Sequence, residues 1–98
     1  MDTDRIVQGV QKTLGQFQDG KGIVAQAAEP CLGGVKVSLW LDDEPFALLH
    51  FPEYIVNRYL ETLDSPCDFT PSDIANARAE WEKRIIDCCR EQQARKAA

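Results

Sequence analysis

The chain has 98 residues, of which 44% are hydrophobic and 28% charged, and its formal net charge is −5. This length suits one hydrophobic core, and the composition lies outside the weakly hydrophobic, highly charged range of disordered chains. No run approaches the roughly 18 apolar residues of a membrane-spanning helix, and the acidic start is unlike a signal peptide. We therefore expect one domain, residues 1–98, in the cytoplasm.

The N-terminal segment predicts an amphipathic helix. Its apolar residues are spaced by one, three, four and three positions and so share one helical face: Ile6, Val7, Val10, Leu14 and Phe17. Asp2 or Thr3 is the candidate N-cap, because a short polar side chain can accept a hydrogen bond from an unpaired amide of the first turn. Two glycines in residues 18–22 then predict a tight reversal.

The central segment predicts three antiparallel strands. The first covers residues 23–28 and is expected to end at residues 29–30, where a proline occurs. The second, residues 35–41, alternates apolar and polar side chains, as expected when one face meets a core. The third, residues 46–51, is apolar on both faces. Such a strand is either covered by helices on both sides or offered to a partner.

Two helices are predicted after the strands. Pro52 fits the first position of one helix, and Thr70 with Pro71 is typical of the start of another, longer helix. The long helix carries an apolar stripe of Ile74, Ala77, Trp81, Ile85 and Cys88. The stripe then stops, so residues 91–98 are expected to fray. The predicted fold class is a two-layer α+β domain: an N-terminal helix, a three-stranded antiparallel sheet, then two helices, the last one long.

The sequence contains no recognisable catalytic or cofactor-binding pattern. A cysteine nucleophile needs a base within hydrogen-bond reach, and His50 is the only histidine. A small enzyme that pairs His50 with Cys31 or Cys67 is a remaining alternative, but no third residue is marked to orient the imidazole. The four cysteines lack the spacing of zinc ligands, and no glycine-rich phosphate loop is present. We expect no enzyme activity, no cofactor and no metal.

Negative charge is concentrated in the middle of the chain. Residues 37–80 contain nine acidic and two basic side chains, whereas the segments before and after them have net charges of 0 and +2. A negative field repels phosphate backbones and attracts basic protein surfaces. We therefore expect a protein partner with a basic surface, no direct nucleic-acid binding and no membrane binding.

The acidic turn of residues 42–44 is the best candidate for contact with that partner, because aromatic residues flank it and aromatic residues beside charges are frequent in interface hot spots. Trp40 has an equally good alternative role in covering the sheet. On the following helix, Tyr54 and Arg58 are four residues apart and can stack. The predicted partner-binding residues are Trp40, Asp42, Asp43, Glu44, Phe46, Glu53, Tyr54 and Arg58.

These observations predict a small acidic protein that binds or inhibits a larger protein complex, with a nucleic-acid-handling complex as one candidate. In size and charge the chain resembles phage-encoded inhibitors, anti-CRISPR proteins among them, which would act in the host cytoplasm. The alternative is a small dimeric chaperone or assembly factor that offers its third strand to a client. The order of its elements is similar to the first part of type III secretion chaperones, but this chain has no further strand pair before its last helix.

Overall fold

The computed structural model describes residues 2–97. In chain order its elements are α1 (Thr3–Leu14), a 3₁₀ turn (Gln18–Gly20), β1 (Ile23–Cys31), β2 (Gly34–Leu41), β3 (Glu44–Pro52), α2 (Glu53–Asp64), a second 3₁₀ turn (Pro66–Asp68) and α3 (Pro71–Ala97). The strands form one antiparallel sheet in the order β1-β2-β3, and the helices cover one of its faces. The predicted α+β fold is confirmed.

The predicted helix starts form through their own side chains. Asp2 caps α1, because its carboxylate accepts a hydrogen bond of 3.2 Å from the amide of Arg5. Thr70 caps α3 in the same way, and its hydroxyl accepts a 3.1 Å hydrogen bond from the amide of Asp73. Each cap satisfies an amide that the first helical turn leaves without a partner.

Two strands are longer than the sequence predicts. β1 continues through Pro30 to Cys31, and β3 begins at Glu44 and includes Pro45. Both are edge strands, where a proline is tolerated because the N–H that it lacks can be one that faces away from the neighbouring strand. Irregular pairing near residue 26 of β1 and residue 46 of β3 also places an unpaired residue in each edge strand.

Helix α3 remains helical to Ala97, beyond the point where the end of the apolar stripe predicts fraying. Polar contacts replace the missing stripe. Arg90 Nε lies 3.1 Å from Asp19 Oδ2, and Gln93 donates a 2.9 Å hydrogen bond to the Asp19 carbonyl. The ammonium of Lys96 lies 4.8 Å from the ring centroid of Phe46. Within residues 2–97, no helix is both long and apolar enough to cross a membrane.

The core is built around the indole of Trp81, which is fully buried. Its ring stacks on Phe51 at a centroid distance of 4.4 Å and on Tyr59 at 4.0 Å, with interplanar angles of 10° and 7°. The indole N–H donates a 3.2 Å hydrogen bond to the hydroxyl of Thr13. Gly9 of α1 faces the same stack, where a Cβ would make a tight contact with the Trp81 and Tyr59 rings. One residue thus joins α1, α2, α3 and β3.

This packing predicts opposite results for alanine at two glycines. A Cβ at Gly9 would lie 3.1 Å from the Trp81 ring and 3.2 Å from the Tyr59 ring, whereas a Cβ at Gly15 would meet only backbone oxygens, the nearest at 3.6 Å. Gly9 lies within α1 and Gly15 is its C-cap with φ −74° and ψ −10°, so alanine fits the backbone at both sites and reduces the entropy of the unfolded chain. Overpacking opposes that gain only at Gly9. We expect Gly9→Ala to be about 1–2 kcal/mol less stable than Gly15→Ala in urea unfolding. Equal stability of the two variants would show that the stack tolerates the methyl group.

Candidate protein-binding surface

The face of the sheet that points away from the helices is uncovered. Along β2, every second side chain is buried against the helices, and the side chains between them point outward. Strand pairing places Val24 and Pro45 beside Trp40, and Ala27 and Leu48 beside Ser38. We call Val24, Ala27, Ser38, Trp40 and Leu48 the outer sheet face. Val24 and Leu48 are 52% and 60% exposed, so this end of the face is largely apolar and open to solvent. The same register places the polar row Glu29, Lys36 and His50 at the other end of the face.

The acidic turn continues directly from this face. Asp42 and Asp43 are the two central residues between β2 and β3, with φ angles of 53° and 63°, a combination typical of a type I′ hairpin turn. Glu44 follows and is exposed. Asp42 and Asp43 line a shallow pocket of about 240 Å³ together with Val24, Gln26 and Trp40. The structure therefore brings together Trp40 and the acidic turn, as one continuous apolar and acidic surface.

Phe46 does not belong to this surface. Its side chain is 3% exposed and lies in the core, so the expectation that it contacts a partner is wrong. The reason is the irregular pairing of β2 with β3: Leu39 pairs with Ala47 and Trp40 with Pro45, which leaves Phe46 as an extra residue. Such a bulge changes the face to which the following side chains point, and the simple alternation of a strand cannot reveal it.

The remaining predicted partner-binding residues lie at the other end of β3. Glu53 and Tyr54 are exposed at the start of α2. At 3.3 Å per residue, the length of β3 separates them from the acidic turn by roughly 25 Å. Arg58 lies near Glu80 of α3, at 3.9 Å between Nη1 and Oε1, and in the described residues it makes no cation–π contact with Tyr54. These three residues do not extend the outer sheet face.

The two edges of the sheet differ in how they are closed. Gln11 of α1 imitates a neighbouring strand on β1: its amide donates to the Ile23 carbonyl at 3.2 Å and accepts from the Ala25 N–H at 2.9 Å. On β3, Arg84 donates to the carbonyl of His50 at 2.7 and 3.1 Å. That carbonyl therefore points away from β2. Backbone groups alternate in direction along an antiparallel strand, so the N–H and carbonyl of Leu48, two residues earlier, also point away from β2. Side-chain hydrogen bonds therefore close part of the β3 edge at His50, and helices cover β3 on its inner face only.

His50 and the cysteines are the groups that a cysteine-dependent reaction would use. In residues 2–97, the His50 imidazole makes no hydrogen bond with a cysteine or a carboxylate, and no group of three histidine, cysteine or acidic side chains is placed to hold a metal ion. Burial raises the pKa of the Cys89 thiol to about 12 and also raises the pKa of Cys88. Thiols of this kind are poor nucleophiles near neutral pH.

Comparison of the chain with protein-family models, with curated proteins and with solved structures finds no match. The surface is therefore interpreted from its own residues. Sequence reasoning missed Val24 and Gln26, because their position beside Trp40 depends on the register of β1 with β2. The exposure of Leu48 could have been expected from the sequence, since the third strand is apolar on both faces and only one face can meet the helices.

The burial of the cysteines predicts a wide spread of reactivity in the native protein. Cys67 is exposed, whereas Cys89 is fully buried and its pKa is about 12. Because the thiolate is the reacting species, iodoacetamide at about pH 8 should modify Cys89 at least roughly 100-fold more slowly than Cys67. Peptide mass spectrometry of timed samples measures both rates, and urea-unfolded protein is the control in which the difference should largely disappear. Comparable native rates would contradict the placement of Cys89 in the core.

Proposed function

We propose that this chain is a protein-binding module whose outer sheet face and acidic turn dock on a basic surface of a larger protein. The observation that carries the proposal is the pocket in which Trp40 and Val24 meet Asp42 and Asp43. An apolar centre beside charged groups is the usual composition of an interface hot spot and its rim. The overall net charge of −5 adds long-range attraction to a basic partner.

The charges of the acidic turn are free to act on a partner. Within the described residues, Asp42, Asp43 and Glu44 have no basic group within salt-bridge distance, whereas carboxylates such as Asp19 and Asp64 are paired with arginines. Unpaired carboxylates at a hairpin tip remain solvated in the free protein. They steer the approach of a basic surface without first having to break an internal ion pair.

Inhibition of a larger complex is the form of binding that this proposal favours, because a compact domain can block a basic site by covering it. A second candidate is self-association or client binding through β3. The observation in its favour is Leu48, whose side chain is 60% exposed and whose backbone groups lie on the sheet edge beyond the reach of any described side-chain hydrogen bond. Free edges of this kind pair readily with another strand.

The first test is to recover the partner and to measure its association with matched charge variants. The tagged protein is expressed in bacterial cells, and proteins eluted by raising the salt concentration are identified and purified. The double variant Asp42→Asn, Asp43→Asn removes two charges. Asparagine, unlike a charge-reversing lysine, readily adopts the positive φ angles of these two positions. Its control is Glu61→Gln with Asp68→Asn, which changes net charge equally at exposed positions outside the turn.

We expect the turn variant to reduce the association rate constant by about 3- to 10-fold at low salt, and the difference from wild type to shrink at about 0.5 M salt. Trp40→Ala should instead raise the dissociation rate constant by about 10-fold or more, because it removes apolar contact area. Stopped-flow or biosensor kinetics measure both constants. Equal association rates for the turn variant and its control would remove the acidic turn from the interface. A protein that captures only a second copy of itself would favour the dimer.

A further inference from the structure

A second concave site lies on the opposite side of the molecule, among the three helices. The cleft has a volume of about 350 Å³, at the lower end of the range of small-molecule pockets, roughly 300–1,000 Å³. Its walls come from all three helices and are mixed: Leu63, Pro66 and Ile74 are apolar, and the polar lining includes Lys12, Thr13, Tyr59, Thr62, Arg78 and Glu82. None of these residues belongs to the outer sheet face, so the cleft is independent of the surface proposed to bind protein.

Two basic residues line this cleft without an acidic partner. Lys12 lies on α1 and Arg78 on α3, and within residues 2–97 neither has a carboxylate within 4.0 Å. In a chain with 16 acidic and 11 basic residues, two unpaired cations in one cleft are an unusual concentration of positive charge. Glu82 is the single acidic residue of the lining. The three charged side chains therefore leave a net charge of +1.

Tyr59 supplies a hydrogen-bonding hydroxyl to the same cleft. Its side chain is 9% exposed, one ring face is stacked on Trp81, and in the described residues its hydroxyl makes no hydrogen bond. Burial raises the pKa of this hydroxyl, while Arg78 opposes and Glu82 adds to the rise, so both charges of the α3 wall act on it. The Thr62 hydroxyl donates to the Tyr59 carbonyl, whereas the Thr13 hydroxyl accepts from the Trp81 indole and keeps its own O–H as a donor.

We propose that this cleft binds a small organic monoanion, a hydroxycarboxylate, through Lys12, Arg78 and the hydroxyl of Tyr59. A carboxylate accepts charge-assisted hydrogen bonds from the ammonium and the guanidinium. The net charge of +1 matches one negative charge, whereas a phosphate dianion would leave a negative charge beside Glu82. Glu82 in turn favours a ligand that also carries a hydroxyl donor. The Tyr59 hydroxyl has no hydrogen-bond partner within the described residues and can donate to the ligand carboxylate.

The test uses the full chain and three probes in nuclear magnetic resonance titrations of its backbone amides at constant ionic strength. Mandelate carries a carboxylate and a hydroxyl group, mandelamide is its uncharged counterpart, and inorganic phosphate is the competing anion. We expect saturable shifts at Thr13, Thr62 and Arg78 with mandelate, and at least about 10-fold weaker binding of mandelamide and of phosphate. No saturation by mandelate up to about 20 mM, or equal binding of phosphate, would overturn the proposal.

Matched variants locate the binding within the cleft. Lys12→Gln and Arg78→Gln should each weaken mandelate binding by about 10-fold, whereas Lys21→Gln, an equal charge change at an exposed residue outside the cleft, should alter it by less than about two-fold. Tyr59→Phe keeps the ring stack and should weaken binding by about 3- to 10-fold through loss of the hydroxyl. Thermal unfolding checks that each variant is folded. An equal loss in Lys21→Gln, or no loss in Arg78→Gln, would show that the shifts do not report this site.

Discussion

The two-sided stacking of Trp81 is the contact on which the arrangement of this protein depends. An indole with a flat ring on each face and an acceptor at its N–H has little freedom to move, and here the partners are Phe51, Tyr59 and Thr13 from three different elements. The stack gathers every helix on the inner face of a three-stranded sheet. It consequently leaves the other face uncovered, and it fixes Tyr59 in the wall of the helix-side cleft. Both proposed sites are thus consequences of how one side chain is packed.

Charged contacts act at the periphery of this core and orient the ends of elements. Arg5 of α1 makes a two-bond contact with Asp64 at the end of α2, at 2.6 and 3.0 Å, and Arg90 holds the first 3₁₀ turn through Asp19. The contact with Arg5 lowers the pKa of Asp64. Because the folded pKa is lowered, any stabilisation by this pair is present above the ordinary carboxyl range, near pH 4, and is lost as the pH falls further. Such exposed pairs stabilise only weakly, so the fold relies on the aromatic stack.

Local patterns in the sequence were sufficient to predict the order and type of the elements. They could not predict features that depend on the pairing of strands or on contacts between distant segments. The caps at Asp2 and Thr70 and the alternation in β2 depend on a few neighbouring residues, and the structure contains all of them. The position of Phe46 depends on how β3 pairs with β2, and the end of α3 depends on contacts with Asp19, more than 70 residues earlier. The acidic turn could be recognised in the sequence because its residues are consecutive. The cleft could not be recognised there, because Lys12, Tyr59 and Arg78 come together only when three helices pack.

The conformation of the acidic turn gives a reason to look for function there. Both central residues of a type I′ turn have positive φ, and asparagine or glycine adopts this conformation more readily than most residues. The chain instead has two aspartates, whose like charges repel each other at the tip of a hairpin, and no described basic residue compensates them. An asparagine–glycine pair would form the same turn without that repulsion. The negative charge is therefore a property that folding does not require, which supports its assignment to contact with a basic partner.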